Sequence, residues 1–133
     1  MKLSTRIRYG LRAIIDLYSN YDGSPVLVKD VAARQQISKK YLENLLISLK
    51  NAGLVRSIRG AKGGYIAVKS PNEITVEDVM VALEGPISFV ECDSDPSFCD
   101  EQADCVTKRI WTEARSAFVS VMRSYTLADL IDE

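Results

Sequence analysis

Residues 38–68 are the stretch that most limits what this chain can become. Ser38 is a good helix N-cap, and behind it Leu42, Leu45, Leu46 and Leu49 fall on one stripe at helical spacing. The stripe stops at Gly53, a natural residue just past a helix end. Two β-rich runs follow, Leu54-Val55-Arg56-Ser57-Ile58 and Tyr65-Ile66-Ala67-Val68. Between them lies Arg59-Gly60-Ala61-Lys62-Gly63-Gly64, a turn with three glycines and two cations. Glycine admits positive φ and lets a backbone come close to a phosphate chain. A capped amphipathic helix feeding a hairpin with a basic, glycine-rich tip is the pattern of a reading helix and its wing. A Walker phosphate loop is excluded, because its spacing differs and a helix must follow it directly.

The preceding residues complete that pattern. Ile7, Leu11, Ile14, Ile15 and Tyr18 recur at helical spacing behind a Ser4 cap, and the run from Asn20 to Pro25 breaks it. A short second helix is expected from about Lys29 to Gln35, with Val31 and Ala32 inward, and Gln36-Ile37-Ser38 forms a tight turn. Two such helices match a helix-turn-helix, whose second member places its N-terminal residues in the major groove. Here those residues are Ser38, Lys39, Lys40, Glu43 and Asn44, polar and off the leucine stripe. Lys39, Lys40, Arg59 and Lys62 suit phosphate contacts or groove entry. Glu43 and Asn44 suit base edges, a carboxylate accepting from cytosine and an amide pairing with adenine.

The charge distribution points to the same polyanion. Residues 1–69 hold thirteen Lys and Arg against four Asp and Glu, a net +9, whereas residues 70–133 net −10. The overall value of −1 conceals this division. No apolar run reaches the roughly 18–20 residues that cross a bilayer, and the N-terminus lacks the apolar stretch of a signal peptide. The expectation is a soluble, cytoplasmic protein without membrane contact. An enzyme is disfavoured, since there is no histidine for acid–base work and the carboxylates gather in one loop rather than as an opposed pair.

In the second half, Thr75 and Asp78 form a capping box for a helix through about Glu84, burying Val76, Val79, Met80 and Leu83 before Gly85-Pro86 ends it. Ile87 to about Asp104 has no regular period and reads as a loop long enough to be functional. From Cys105 to Tyr125 a helical stripe returns through Val106, Ile110, Ala114, Ala117, Phe118, Val121 and Tyr125, widened by Trp111 and Met122. That is more apolar surface than a small winged helix can cover, so a second copy is the expected partner. Thr126-Leu127-Ala128-Asp129 repeats the capping box and starts a last short helix. All three cysteines, Cys92, Cys99 and Cys105, fall in or at the end of the irregular loop. Such clustering points to metal or redox chemistry rather than structural disulfides. Thiolates suit zinc and iron–sulfur clusters alike. Three is one short of the usual four ligands, which leaves an oxygen donor, backbone, an external thiol or another subunit for the fourth.

Taken together, the sequence resembles the iron–sulfur cluster regulator (IscR-like) family of bacterial winged-helix transcription factors, which includes nitric-oxide-sensing, iron-responsive and cysteine-metabolism regulators. The resemblance runs over nearly the whole chain. It rests on Met1-Lys2-Leu3-Ser4 with Arg8-Tyr9-Gly10, Ile37-Ser38 with Tyr41-Leu42-Glu43, and Asn51-Ala52-Gly53-Leu54-Val55. Ser57 to Tyr65, Leu83-Glu84-Gly85-Pro86, the cysteine loop and Thr126 to Leu130 complete it. It implies a homodimer on double-stranded promoter DNA, read by Ser38, Lys40, Glu43, Asn44 and Arg59. It also implies an iron–sulfur cluster, 2Fe-2S in preference to 4Fe-4S, held by Cys92, Cys99 and Cys105. Two departures leave the fourth ligand open: Lys108 stands where some relatives place a histidine, and Arg8 and Arg12 stand where others recruit a partner's ligand.

The fold expected is mainly α with a small two-stranded wing. Residues 1–85 form the winged helix-turn-helix, 86–104 the cysteine-containing sensor loop, and 105–133 the dimerisation helix with a C-terminal short helix. The function expected is a DNA-binding transcriptional regulator, a repressor by preference, controlled by the cluster. A cluster-free thiol or zinc regulator is the alternative, and a winged-helix protein-interaction adaptor is a further one.

Overall fold

The computed structural model describes residues 1–91 and 105–131. Three helices open the chain: α1 (Thr5–Asn20), α2 (Val28–Gln35) and α3 (Lys39–Asn51). An antiparallel hairpin follows, β1 (Val55–Ile58) paired with β2 (Gly64–Ala67), with Val55 opposite Ala67 and Ile58 opposite Gly64. A 3-10 turn at Pro71–Glu73 leads to α4 (Val76–Glu84), and α5 (Lys108–Ser124) and α6 (Leu127–Ile131) close the described chain.

Local sequence sets the helix starts. Ser4 Oγ accepts from Ile7 N at 3.1 Å and Ser38 Oγ from Tyr41 N at 3.1 Å, each satisfying one of the amides that a helix start leaves without a partner. The Thr75 box closes both ways, Asp78 N donating to Thr75 Oγ1 at 3.1 Å and Thr75 N to Asp78 Oδ2 at 3.0 Å. α2 begins at Val28, one residue earlier than expected, on Leu27 with no side-chain cap. At its far end Gln36 takes left-handed backbone, φ 55°, and this sharp corner sets the angle between α2 and α3.

The core lies where α1, α3 and α4 meet. The leucine stripe of α3 is fully buried, as are Val31, Val79 and Ile74. On α1 the buried face runs through Gly10, Ala13, Ile14, Leu17 and Tyr18, while Ile7, Leu11 and Ile15 stay half-buried at its margin. The face is rotated from the expected stripe because Gly10 lets α4 come close: a Cβ there would sit 2.4 Å from Leu83 Cδ1. Two polar groups are locked into this core. Tyr18 Oη donates to Leu54 O at 2.7 Å, and Asp16 takes Arg34 Nη2 at 2.7 Å and Gln35 Nε2 at 2.8 Å, tying α1 to the helix-turn-helix.

The C-terminal part departs from expectation at its start. Cys105, Val106 and Thr107 form a turn, and helix begins only at Lys108. Two adjacent β-branched residues are poor helix formers, and Val106, 89% exposed, lies before the helix rather than on it. Val106 therefore does not belong to the apolar stripe. On α5 Val119 is the buried residue, while Ile110, Trp111 and Val121 are exposed. α6 returns to the main core: Leu127 is fully buried, its N–H donates to Ile74 O at 2.9 Å, and the Thr126–Asp129 box caps the helix.

Candidate nucleic-acid interface

The hairpin is fastened to the body by its glycines. Val26 and Tyr65 exchange both backbone hydrogen bonds, at 2.8 and 2.9 Å. Gly64 makes that approach possible, since a Cβ on it would lie 2.2 Å from Val26 O. Gly63 is equally constrained, with Ile58 O 2.1 Å from its would-be Cβ, and Gly63 N donates to Gly60 O at 3.0 Å to close the tip. The tip consequently projects Arg59 and Lys62 as exposed cations.

Beside it, α3 exposes Lys39, Lys40, Glu43 and Asn44 on one face. Lys39 and Glu43 share a groove with Val28 and Lys29 of α2 and with Gly60 and Tyr65 of the hairpin. Burial, then the nearby Glu43 carboxylate, raises the pKa of the Tyr65 hydroxyl and keeps it protonated. Ser38, spent on its cap as an acceptor, keeps its hydroxyl hydrogen to donate. Asn44 lies on the other flank of the face, where its Oδ1 accepts from Arg6 Nη1 of α1 at 2.6 Å.

Among the described residues, the cations of this surface form no ion pair. The ion pairs of the described residues are Arg34–Asp16, Arg109–Glu113 and Arg123–Glu77, and none involves Lys29, Lys39, Lys40, Arg59 or Lys62. Five exposed cations thus stand on a helix N-terminus, a neighbouring helix start and a hairpin tip, a distribution suited to a polyanion.

Sequence reasoning missed three residues here. Lys29 was legible in principle, because the first helix of a helix-turn-helix crosses the backbone of the duplex. Ile47, 49% exposed, interrupts the polar face of α3 where the pattern led us to expect only polar groups. Arg6 had no local signal at all, since it reaches α3 only through tertiary packing.

Of the expected thiolates, Cys92 and Cys99 lie outside the described residues. Cys105 is half-buried, its Sγ 3.4 Å from Thr107 Oγ1 in the turn that precedes α5. Among the described residues no group of three or more His, Cys, Asp or Glu comes together. The described part thus offers one soft donor, of a chemistry that fits a cluster or zinc, with the rest of any ligand set left to the acidic cysteine segment.

A helix-turn-helix with an attached basic wing defines a winged-helix DNA-binding protein. Comparison with known proteins specifies it further. The family model described as "Rrf2: Iron-dependent Transcriptional regulator" matches residues 3–133. Protein rrf2 of Nitratidesulfovibrio vulgaris is 44% identical over 98% of this chain and 87% of its own length. The regulator CymR of Bacillus subtilis is 43% identical, covering 98% of this chain and 89% of its own. Its solved structure, described as that of the global cysteine regulator, superposes with a TM-score of 0.79 over 99% of this chain and 97% of that one. IscR of T. potens also gives 0.79, at 38% identity, over 99% of this chain and 87% of its own. The chain belongs to the Rrf2 family of transcriptional regulators. No helix among the described residues is long and apolar enough to cross a membrane.

Proposed function

We propose that this protein is a promoter-binding regulator in which α3 reads the major groove of duplex DNA and the hairpin tip grips the adjoining backbone. The observation that carries the reading is the set of exposed cations, without ion-pair partners among the described residues, around a capped, polar-faced α3. Lys29, Lys39, Lys40, Arg59 and Lys62 supply salt-dependent attachment. Ser38, Glu43 and Asn44 supply polar readout, and Ile47 supplies apolar surface of the kind that meets a thymine methyl group. A second copy, joined through the exposed face of α5, would present two reading helices to a two-fold site. In this reading 1–85 is the DNA-binding unit, 86–104 the sensor and 105–133 the dimerisation segment.

The sensor chemistry proposed is an iron–sulfur cluster, 2Fe-2S in preference to 4Fe-4S, on Cys92, Cys99 and Cys105. When bound, the group would contribute redox- and iron-responsive ligation. The chain's own part is to join that event to the fold: Cys105 sits three residues before α5, and Arg115 Nε of α5 donates to Ile87 O at 2.6 Å on the other side of the segment. A change of ligation in the segment would thereby reach α5 from both described ends. Similarity to a protein described as a global cysteine regulator favours a second reading, in which the thiols act without a cluster. Anaerobic purification separates the two. A brown protein that loses visible absorption and changes DNA affinity on cluster removal supports the first, and a colourless, iron-free protein with thiol-dependent affinity supports the second.

A further inference from the structure

One guanidinium joins three helices on the flank of the reading face. Arg6, in the first turn of α1, donates from Nε to Leu83 O of α4 at 2.8 Å, from Nη1 to Asn44 Oδ1 of α3 at 2.6 Å, and from Nη2 to Ser48 Oγ of α3. The planar fork of arginine suits such a junction, whereas lysine offers a single point of charge. Leu83 O is one of the carbonyls that the end of α4 leaves without a helical partner, and a cation is favoured there. The base of α1 is itself fastened to the same helix end, Ser4 Oγ donating to Glu84 Oε1 at 2.6 Å. Arg6 is therefore held from two sides before it meets Asn44.

This bears on what Asn44 can read. Pairing with adenine needs both halves of the carboxamide, Oδ1 to accept from N6 and Nδ2 to donate to N7. With Oδ1 turned to Arg6, the oxygen is directed at α1 and the amide hydrogens are directed away from it. We infer that Arg6 is a positioning residue for base readout, presenting Asn44 as a donor and so favouring guanine, with its two major-groove acceptors, over adenine. This inference rests on the proposal that α3 enters the major groove, and it replaces the adenine pairing expected from sequence.

Binding sites selected from a randomised duplex pool test it, using the full-length protein, Arg6→Met, Asn44→Ala and the double variant, with thermal melts as the control for folding. The wild type should prefer guanine at one base-pair position, and Arg6→Met should move that preference towards adenine by about tenfold. Asn44→Ala and the double variant should show no preference there. If Asn44→Ala erases the preference but Arg6→Met only weakens all duplexes equally, Arg6 does not position Asn44 and the inference fails alone. If Asn44→Ala leaves every base preference intact, Asn44 reads no base and the inference fails alone; if the wild type itself selects no base at any position, the underlying reading of α3 fails, and the inference with it. Should Arg6→Met not fold, Ser48→Ala removes one anchor and should shift the preference the same way by a smaller factor; no shift would count against the inference.

Discussion

At the scale of single residues, the polar groups locked into the apolar core draw their partners from far along the sequence. Asp16 is buried with a side-chain exposure of 4%, and its partner Arg34 reaches out to 39%. Removing the carboxylate with Asp16→Ala strands Arg34 and Gln35 and should cost about 2 kcal/mol, less than for a fully buried pair because water reaches the guanidinium. A denaturant titration checks this, and a loss below about 0.5 kcal/mol would place the pair among ordinary surface contacts. Tyr18 gives a pH-dependent counterpart. Burial lifts its hydroxyl above the ordinary 10.0, although the amide hydrogens of Val68 and Lys69 pull the other way. A folded pKa above the unfolded one means that the neutral form favours folding. The contribution is therefore complete below the unfolded pKa and is lost as pH rises through the folded value. Tyr18→Phe should cost about 1–2 kcal/mol at neutral pH, by leaving Leu54 O without its donor, and should flatten the fall in Tm above about pH 10. An unchanged alkaline limb would contradict the assignment. The caps at Ser4, Ser38 and Thr75 were legible because a cap and its amide lie three residues apart. Asp16–Arg34, Tyr18–Leu54 and Arg6–Asn44 were not, because each depends on how helices cross.

The elements themselves follow closely from periodicity where one face is buried and the other is wet. The α3 stripe and the Thr75 helix are of this kind, and their buried residues are those the spacing indicated. Periodicity misled on α1, where a close approach at Gly10 turned the face, and at Cys105–Thr107, where two adjacent β-branched residues delay the helix to Lys108. The hairpin was legible as two β-runs and a glycine turn, but its attachment through Val26 was not, since an isolated bridge has no pattern. That attachment makes a sharp prediction. Gly64→Ala puts a methyl group into the Val26 carbonyl and should detach the wing, weakening duplex binding at least tenfold while the helical melt moves little. Far-ultraviolet circular dichroism with a binding isotherm checks both parts; intact affinity would show that the wing does not depend on this contact.

For the whole molecule the division of charge, +9 against −10, was the strongest statement the sequence made about function. The structure gives it a shape, by gathering exposed cations of the basic half around α3 and the hairpin. The apolar face of α5 was equally legible, and Ile110, Trp111 and Val121 remain exposed on a single chain. A second copy would cover them, so Ile110→Asp should convert a dimer to a monomer in sedimentation velocity and weaken binding to a two-fold operator. A variant that stays dimeric would remove α5 from the interface. A fourth ligand for the proposed cluster was not legible, because a donor from another subunit or an external thiol would leave no spacing in one chain. The central claim, that this cationic face is a duplex-binding surface, is tested most directly by the salt dependence of DNA affinity. The slope of log K against log salt should be steep for the wild type. It should lose about one for each of Lys39, Lys40, Arg59 and Lys62 replaced by alanine. A flat slope, or one that the four substitutions leave unchanged, would contradict the account.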